Sequence, residues 1–265
     1  MRELTIAELK EKQMQIMDYV DSFCRKNNIQ YTLAFGTLLG AERHGGYIPW
    51  DDDIDIQLVR SEYNRFTELW NKNKSEHPFE LINIESGNNM GYPFGKIHDP
   101  KTVTYVENLE RTGVFIDVFP MDYVLNEKDF KVRHEKIRDL YKKRDACFTW
   151  MVTEKANLPF WKKIMPYLRK PRMSYEDIAI SISELAKQVV NKTDFIYDLV
   201  IGVYSKAIIP SSVFGEFKDI KFEDRIYRSV KDTETYLTKT YGDWRTPPPP
   251  EKQVTHHGFK AFWRD

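Results

Sequence analysis

The chain has 265 residues, with 40 Lys plus Arg against 40 Asp plus Glu and a formal net charge of zero. Its length allows a sizeable core, and a composition 41% hydrophobic and 14% aromatic excludes a disordered chain. Balanced charge gives no reason to expect a nucleic-acid partner, so any electrostatic specialisation is local.

Cys24 and Cys147 lie outside any CxxC or Cys/His ligand spacing, which points away from zinc knuckles and disulfide frameworks and toward a reducing compartment. The opening Met1-Arg-Glu-Leu-Thr5 lacks the apolar core of a signal peptide, and no run has the apolar length of a spanning helix. The expectation is a cytoplasmic protein able to touch the inner face of a membrane.

In chain order, Thr5-Ile-Ala-Glu8 is a capping box, and Leu9, Ile16, Val20 and Phe23 recur at helical spacing. A helix is predicted from about Thr5 to Lys26. Ile29 to Ala34 reads as a strand, Gly36 as a turn, and Thr37 to Arg43 as a short helix broken by Gly45-Gly46 and Pro49. Ile54 to Val59 is strand-like, and Ser61 opens a helix to about Trp70. Further strands are predicted at Phe79–Ile84, Tyr92–His98 and Thr102–Val106. Val114 to Phe119 is nearly all apolar and reads as a central strand with Asp117 inside it.

After Pro120 the character changes. Asn126 to Arg144 is charged and helical, and Tyr175 to Val190 is helical. A strand is predicted at Phe222–Val230, a helix at Lys231–Thr240, and a stiff extended turn at Pro247–Pro250. The expected organisation is a catalytic core over 1–125 and a mostly helical lobe over 126–265, whose C-terminal segment returns to the core. A basic aromatic segment at 160–172 reads either as a solvated basic helix pair or as an interfacial patch near anionic lipid.

The charge anomaly is the run Asp51, Asp52, Asp53, Asp55 at the start of a strand. Strand alternation turns Asp53 and Asp55 to one face, with Cα atoms roughly 6–7 Å apart. At that distance and an effective dielectric near 20, the two repel by about 2–3 kcal/mol. A hard divalent cation with oxygen ligands is the natural partner. Asp51, Asp53, Asp55 and Glu62 also match positions of a calcium loop, but Ile56 stands where that loop needs glycine, so a non-catalytic calcium-binding module is the weaker alternative.

A magnesium site for phosphoryl transfer suits the run better, with Asp117 as third ligand or as the base that takes a hydroxyl proton. The competing reading makes the run a solvated turn and pairs Asp117 with a buried Arg or Lys. Gly36-Thr37 favours the first, because a glycine turn opening a helix presents N–H groups to a phosphate.

The blocks "GTLLGAERHGGYIPWDDDIDI", "FIDVFPMD" and "YLTKTYGDWRTPPPPEKQVTHHG" resemble the LicD family within the nucleotidyltransferase superfamily. The resemblance implies an α+β fold with a polymerase β-like mixed-sheet core and an appended helical lobe. It implies transfer of phosphocholine, or another phospho-alcohol, from CDP-choline or another CDP-alcohol to a sugar hydroxyl of a glycan such as teichoic acid. The glycan is lipid-linked in one version, and CMP is released. Mg²⁺, with Mn²⁺ as a substitute, is the implied cofactor. A nucleotidyltransferase attaching NMP from an NTP with pyrophosphate release is the alternative chemistry.

By position, Asp53, Asp55 and Asp117 match the family's metal ligands and catalytic acids. Gly36 and Thr37 match its phosphate-cradling turn, and Arg43 and His44 its Arg-His segment. Lys96 is a further phosphate candidate, while Trp50 and Asp51 are candidates for contact with substrate. In the C-terminal block Tyr241 and Trp244 could box a quaternary ammonium by cation–π attraction, or simply dock the tail. His256 and His257 are candidates for phosphate contact or merely end the block.

Overall fold

The computed structural model describes residues 1–107, 109–155, 172–201, 208–254 and 259–264. Of the segment at 160–172 only Arg172 falls within these bounds, and His256 and His257 lie outside them.

The first helix, α1 (Ile6–Lys26), starts at the expected capping box. Glu8 N–H donates to Thr5 Oγ1, and Thr5 N–H donates back to the Glu8 carboxylate. Its buried stripe includes Leu9, Ile16, Met17, Val20 and Cys24. The chain then forms β1 (Thr32–Leu33), α2 (Phe35–His44), β2 (Asp55–Val59), α3 (Arg60–Lys72) and β3 (Glu80–Ile82). Next come β4 (Gly95–His98), β5 (Thr102–Val106), β6 (Leu109–Glu110) and the long β7 (Phe115–Val124).

The central sheet runs β1-β2-β7-β4-β3, with β2 and β7 parallel and the other pairs antiparallel. It is a mixed sheet with helices, an α+β arrangement. One face carries Ile56, Leu58, Ile97, Ile116 and Val118 into the main core with α1 and α3. Burial of each such side chain is worth about 1.5–3 kcal/mol.

β7 runs past its predicted end at Phe119, through Pro120, to Val124. Asp117 N–H bonds Ile54 O on the β2 side, so alternation points the Pro120 nitrogen to the other edge. On that edge β4 pairs only residues 115–118, and β8 (Phe195–Tyr197) only residues 122–124. The missing N–H falls in the gap between two neighbours, where no bond is lost.

The second half contributes α4 (Glu127–Lys155), α5 (Tyr175–Ala186), β8 and β9 (Ile209–Pro210). A second core joins α4 and α5 to Phe119 and Val124 of β7 and to Tyr197 and Leu199. The single strand expected at 222–230 is instead a hairpin, β10 (Phe217–Phe222) and β11 (Arg225–Val230). It is followed by α6 (Thr233–Tyr241). The hairpin and α6 return to the first core through Phe222, Tyr227, Val230, Tyr236 and Leu237. The last strand, β12 (Phe259–Trp263), pairs with β5. Cys24 and Cys147 are buried free thiols. Among the described residues no helix is long and apolar enough to cross a membrane.

Candidate active site

The site forms where α2 begins beside the first residue of β2. Ala34 N–H donates to Asp55 O at 2.9 Å, and Asp55 N–H donates to Thr37 Oγ1 at 2.9 Å. The helix start and the strand start are therefore one locked unit. Ala34, at the N-cap, has no side chain able to cap, and the first turn of α2 lies against the Asp51 carboxylate.

The structure moves the helix start two residues earlier than expected, which puts Gly36 and Thr37 inside its first turn. Thr37 is buried, and its hydroxyl fastens Asp55. Phe35 adopts a left-handed φ of 42°, a strained conformation for an aromatic residue. Its N–H donates to Tyr236 Oη, and its ring packs edge-on against Phe119. At Gly36 a Cβ would collide with the Asp51 carboxylate, so only glycine lets Asp51 lie against the helix end.

Register brings the acids together. Asp55 of β2 is the partner of Asp117 on β7, and Asp117 is the partner of Lys96 on β4. Directly opposed residues share a face, so the three form one row across the sheet. The buried Lys96 ammonium contacts Asp117 Oδ1 at 2.5 Å and lies 3.6 Å from the Phe115 ring centre. Burial, and then the charges of Asp53, Asp117 and Asp51, push the Asp55 carboxyl far above the usual carboxylate range, while Lys96 opposes the rise. Asp117 thus pairs with a buried lysine and also faces Asp55.

Among the described residues no three His, Cys, Asp or Glu side chains are gathered into a metal cage. The donor chemistry nevertheless fits a hard cation. Asp53, Asp117 and Asp51 all act on Asp55, opposed by Lys96, so several carboxylates converge beside the start of α2.

Asp52 is buried away from this row, and its carbonyl accepts from Gln13 of α1 at 2.7 Å. The calcium-loop alternative fails on geometry. Residues 55–59 are a strand, and Glu62 on α3 accepts from Gln30 N–H. Arg43 donates to Trp244 O at 2.8 Å, and Trp244 is buried in the main core, so the pair docks the C-terminal segment. His44 meets the ring of Trp50 edge-on, and burial lowers its pKa, with Arg43 adding to the effect. Tyr241 is 43% exposed, and its hydroxyl pKa is raised by burial and by Asp55, Asp51 and Asp53. It therefore borders the acidic cluster.

Sequence reasoning missed the layer behind this site. Tyr236 Oη donates to Gln57 Oε1 at 2.6 Å, and Gln57 Nε2 donates to Asp198 Oδ2 at 2.9 Å. Asp198 is buried, and desolvation pushes its carboxyl up to about 8. The chain Asp198–Gln57–Tyr236 ends on the strained Phe35 N–H. A lone acid in the apolar run Phe195-Ile-Tyr-Asp-Leu-Val200 was the available signal, of the same kind that singled out Asp117.

A helix start beside a row of acids is an arrangement able to handle a phosphate with a cation. A family model described as "LicD/FKTN/FKRP, nucleotidyltransferase domain" matches residues 28–167. The lipopolysaccharide cholinephosphotransferase LicD of Haemophilus influenzae is 30% identical over 270 residues, covering 99% of each chain. Uncharacterised proteins of Rickettsia typhi and Rickettsia prowazekii are 44% and 48% identical over 55 and 48 residues, each alignment covering 18% of the relative. This chain belongs to the LicD family and is an enzyme of the phosphotransferase class.

Proposed function

We propose that the protein transfers phosphocholine from CDP-choline to a sugar hydroxyl of a surface glycan and releases CMP. The observation that carries this reading is the Asp55–Asp117–Lys96 row beside the start of α2. Support also comes from the full-length similarity to a cholinephosphotransferase. That relative's name favours a lipopolysaccharide acceptor over teichoic acid.

In this mechanism the first-turn N–H groups of α2 hold the donor's phosphates. The acceptor oxygen attacks the phosphorus that bears choline. The new P–O bond forms as the bridging P–O bond to CMP breaks, and the hydroxyl proton passes to the Asp117 carboxylate. Lys96 orients Asp117 and directs its remaining N–H donors to the transferred phosphate. Asp53, Asp55 and Asp117 are the residues that would hold Mg²⁺ or Mn²⁺, which supplies charge neutralisation at the phosphate oxygens. The exposed face of Tyr241, beside the acidic cluster, suits a trimethylammonium group. The core around β2 and β7 would be nucleotidyltransferase-like, and the enzyme would act at the cytoplasmic side of the membrane where lipid-linked acceptors are built.

A thermal-shift screen of CDP-alcohols and NTPs with Mg²⁺ tests the donor. Selective stabilisation by CDP-choline is expected, by about 2.7 kcal/mol at a hundredfold excess over Kd. Equal response to all CDP-alcohols removes the choline assignment, and a response to NTPs alone favours nucleotide transfer.

A further inference from the structure

We propose that Arg111 and Arg144 form an anion-binding subsite for an acidic group carried by the acceptor sugar. This rests on the transfer reaction proposed above. Just upstream of β4, Met90 and Gly91 are both left-handed, with φ of 45° and 77°. A side chain at Gly91 would strike the Tyr175 ring, so glycine is required there. Two guanidiniums hold this turn. Arg111 Nη2 donates to Met90 O at 3.0 Å, and Arg144 Nε donates to Gly91 O at 2.8 Å.

The same two side chains share two rings. Arg111 Cζ lies 5.2 Å from the Tyr92 ring centre and 5.4 Å from that of Tyr175. Arg144 Cζ lies 5.7 Å and 4.6 Å from the same rings. Among the described residues neither guanidinium has a carboxylate within ion-pair distance. By contrast, Arg60 pairs with Asp122 and Arg133 with Asp129. Asp145 lies close enough to act on Tyr175 and Tyr141, but it is exposed and pairs with neither arginine. Two half-buried like charges on shared rings repel each other. Each guanidinium has five N–H donors; Arg144 donates one to a backbone carbonyl, and Arg111 donates one to a carbonyl and also reaches the Tyr92 and Tyr175 hydroxyls. An oxyanion bridging them supplies the missing counter-charge with fork geometry.

The position of the pair assigns it to the acceptor. Tyr92 also receives the Lys96 ammonium, 4.6 Å from its ring centre, so the arginines adjoin the β4 end of the acidic row. The helix start that takes donor phosphates adjoins the β2 end. An acceptor entering from the β4 side meets the arginines before its hydroxyl reaches Asp117.

The test is a ligand-observed NMR titration of the full chain, with CMP present, using glucose 6-phosphate, galacturonate and glucose. The two anionic sugars should bind at least about tenfold more tightly than glucose. The R111Q/R144Q variant should lose that preference, and R111K/R144K, which keeps the charge without the fork, should retain part of it. Equal binding of charged and neutral sugars overturns the proposal. So does a preference that survives R111Q/R144Q, or survives undiminished in R111K/R144K should the first variant not fold. Displacement of the anionic sugar by CDP-choline overturns it as well, because the arginines would then hold the donor. Turnover of CDP-choline by the unaltered protein is scored separately, so failure of the transfer reading is distinguishable from failure of the subsite.

Discussion

Asp117 and Asp122 sit five residues apart on β7, and each is in contact with a base. Asp117 touches Lys96; Asp122 makes a two-pronged pair with Arg60 at 2.7 and 2.8 Å. Asp122 meets its guanidinium as a geometrically matched partner. Asp117 meets Lys96 and also Asp55, which Asp53 and Asp51 act on as well. Burial and pairing therefore do not separate a working acid from a structural one. Convergence of acids does, because carboxylates that face one another are an oxygen donor set suited to a hard cation.

The largest expected effect breaks the comparison on activity. Asp53→Ala and Asp117→Asn should each lower turnover by about 10³-fold or more with the fold intact. Asp122→Ala should do the reverse. It leaves Arg60 buried without its carboxylate and should cost about 3–5 kcal/mol in urea unfolding, with activity per folded molecule retained. If Asp122→Ala abolishes turnover in folded protein, the division between the two acids fails.

Next in size is Gly36→Ala. The added methyl group must push Asp51 away from the start of α2, and misplacement on that scale should lower kcat by about 10²-fold. Steady-state kinetics beside a melting curve checks that the loss is catalytic.

The smallest effect concerns Asp198, a third buried acid, which is hydrogen-bonded to Gln57 but lies outside the acidic row. Its folded-state pKa is raised to about 8 by burial. The folded state therefore holds a proton that the unfolded chain releases near pH 4. Its contribution to stability is full below that point and is lost as pH rises through about 8. Asp198→Asn should remove that slope. The melting temperature of the variant relative to the parent should rise by a few degrees between pH 5 and pH 8.

The acidic strand was legible because one local rule, alternation, acts on one local feature, the Asp-x-Asp pair. The capping box at Thr5 and the apolar strand around Asp117 were legible for the same reason. Pro120 was not, since its tolerance depends on where β4 stops and β8 starts on one edge of β7. Only Phe222–Val230 of the hairpin was read as strand, and its turn was missed because Glu223-Asp224 has no glycine or proline; Glu223 takes the left-handed conformation itself. The Asp117–Lys96 contact and the Arg111–Arg144 pair are long-range, and residues far apart in sequence gave no periodic signal for them.

The central claim is that Asp53, Asp55 and Asp117 serve transfer from a CDP-alcohol. Incubating the protein with CDP-choline, Mg²⁺ and a lipopolysaccharide acceptor, and quantifying CMP against phosphocholine bound to glycan, tests it most directly. The account predicts equal amounts of both, and neither from Asp53→Ala. Pyrophosphate release from an NTP without CMP formation from CDP-choline, or full activity in Asp53→Ala, would contradict it.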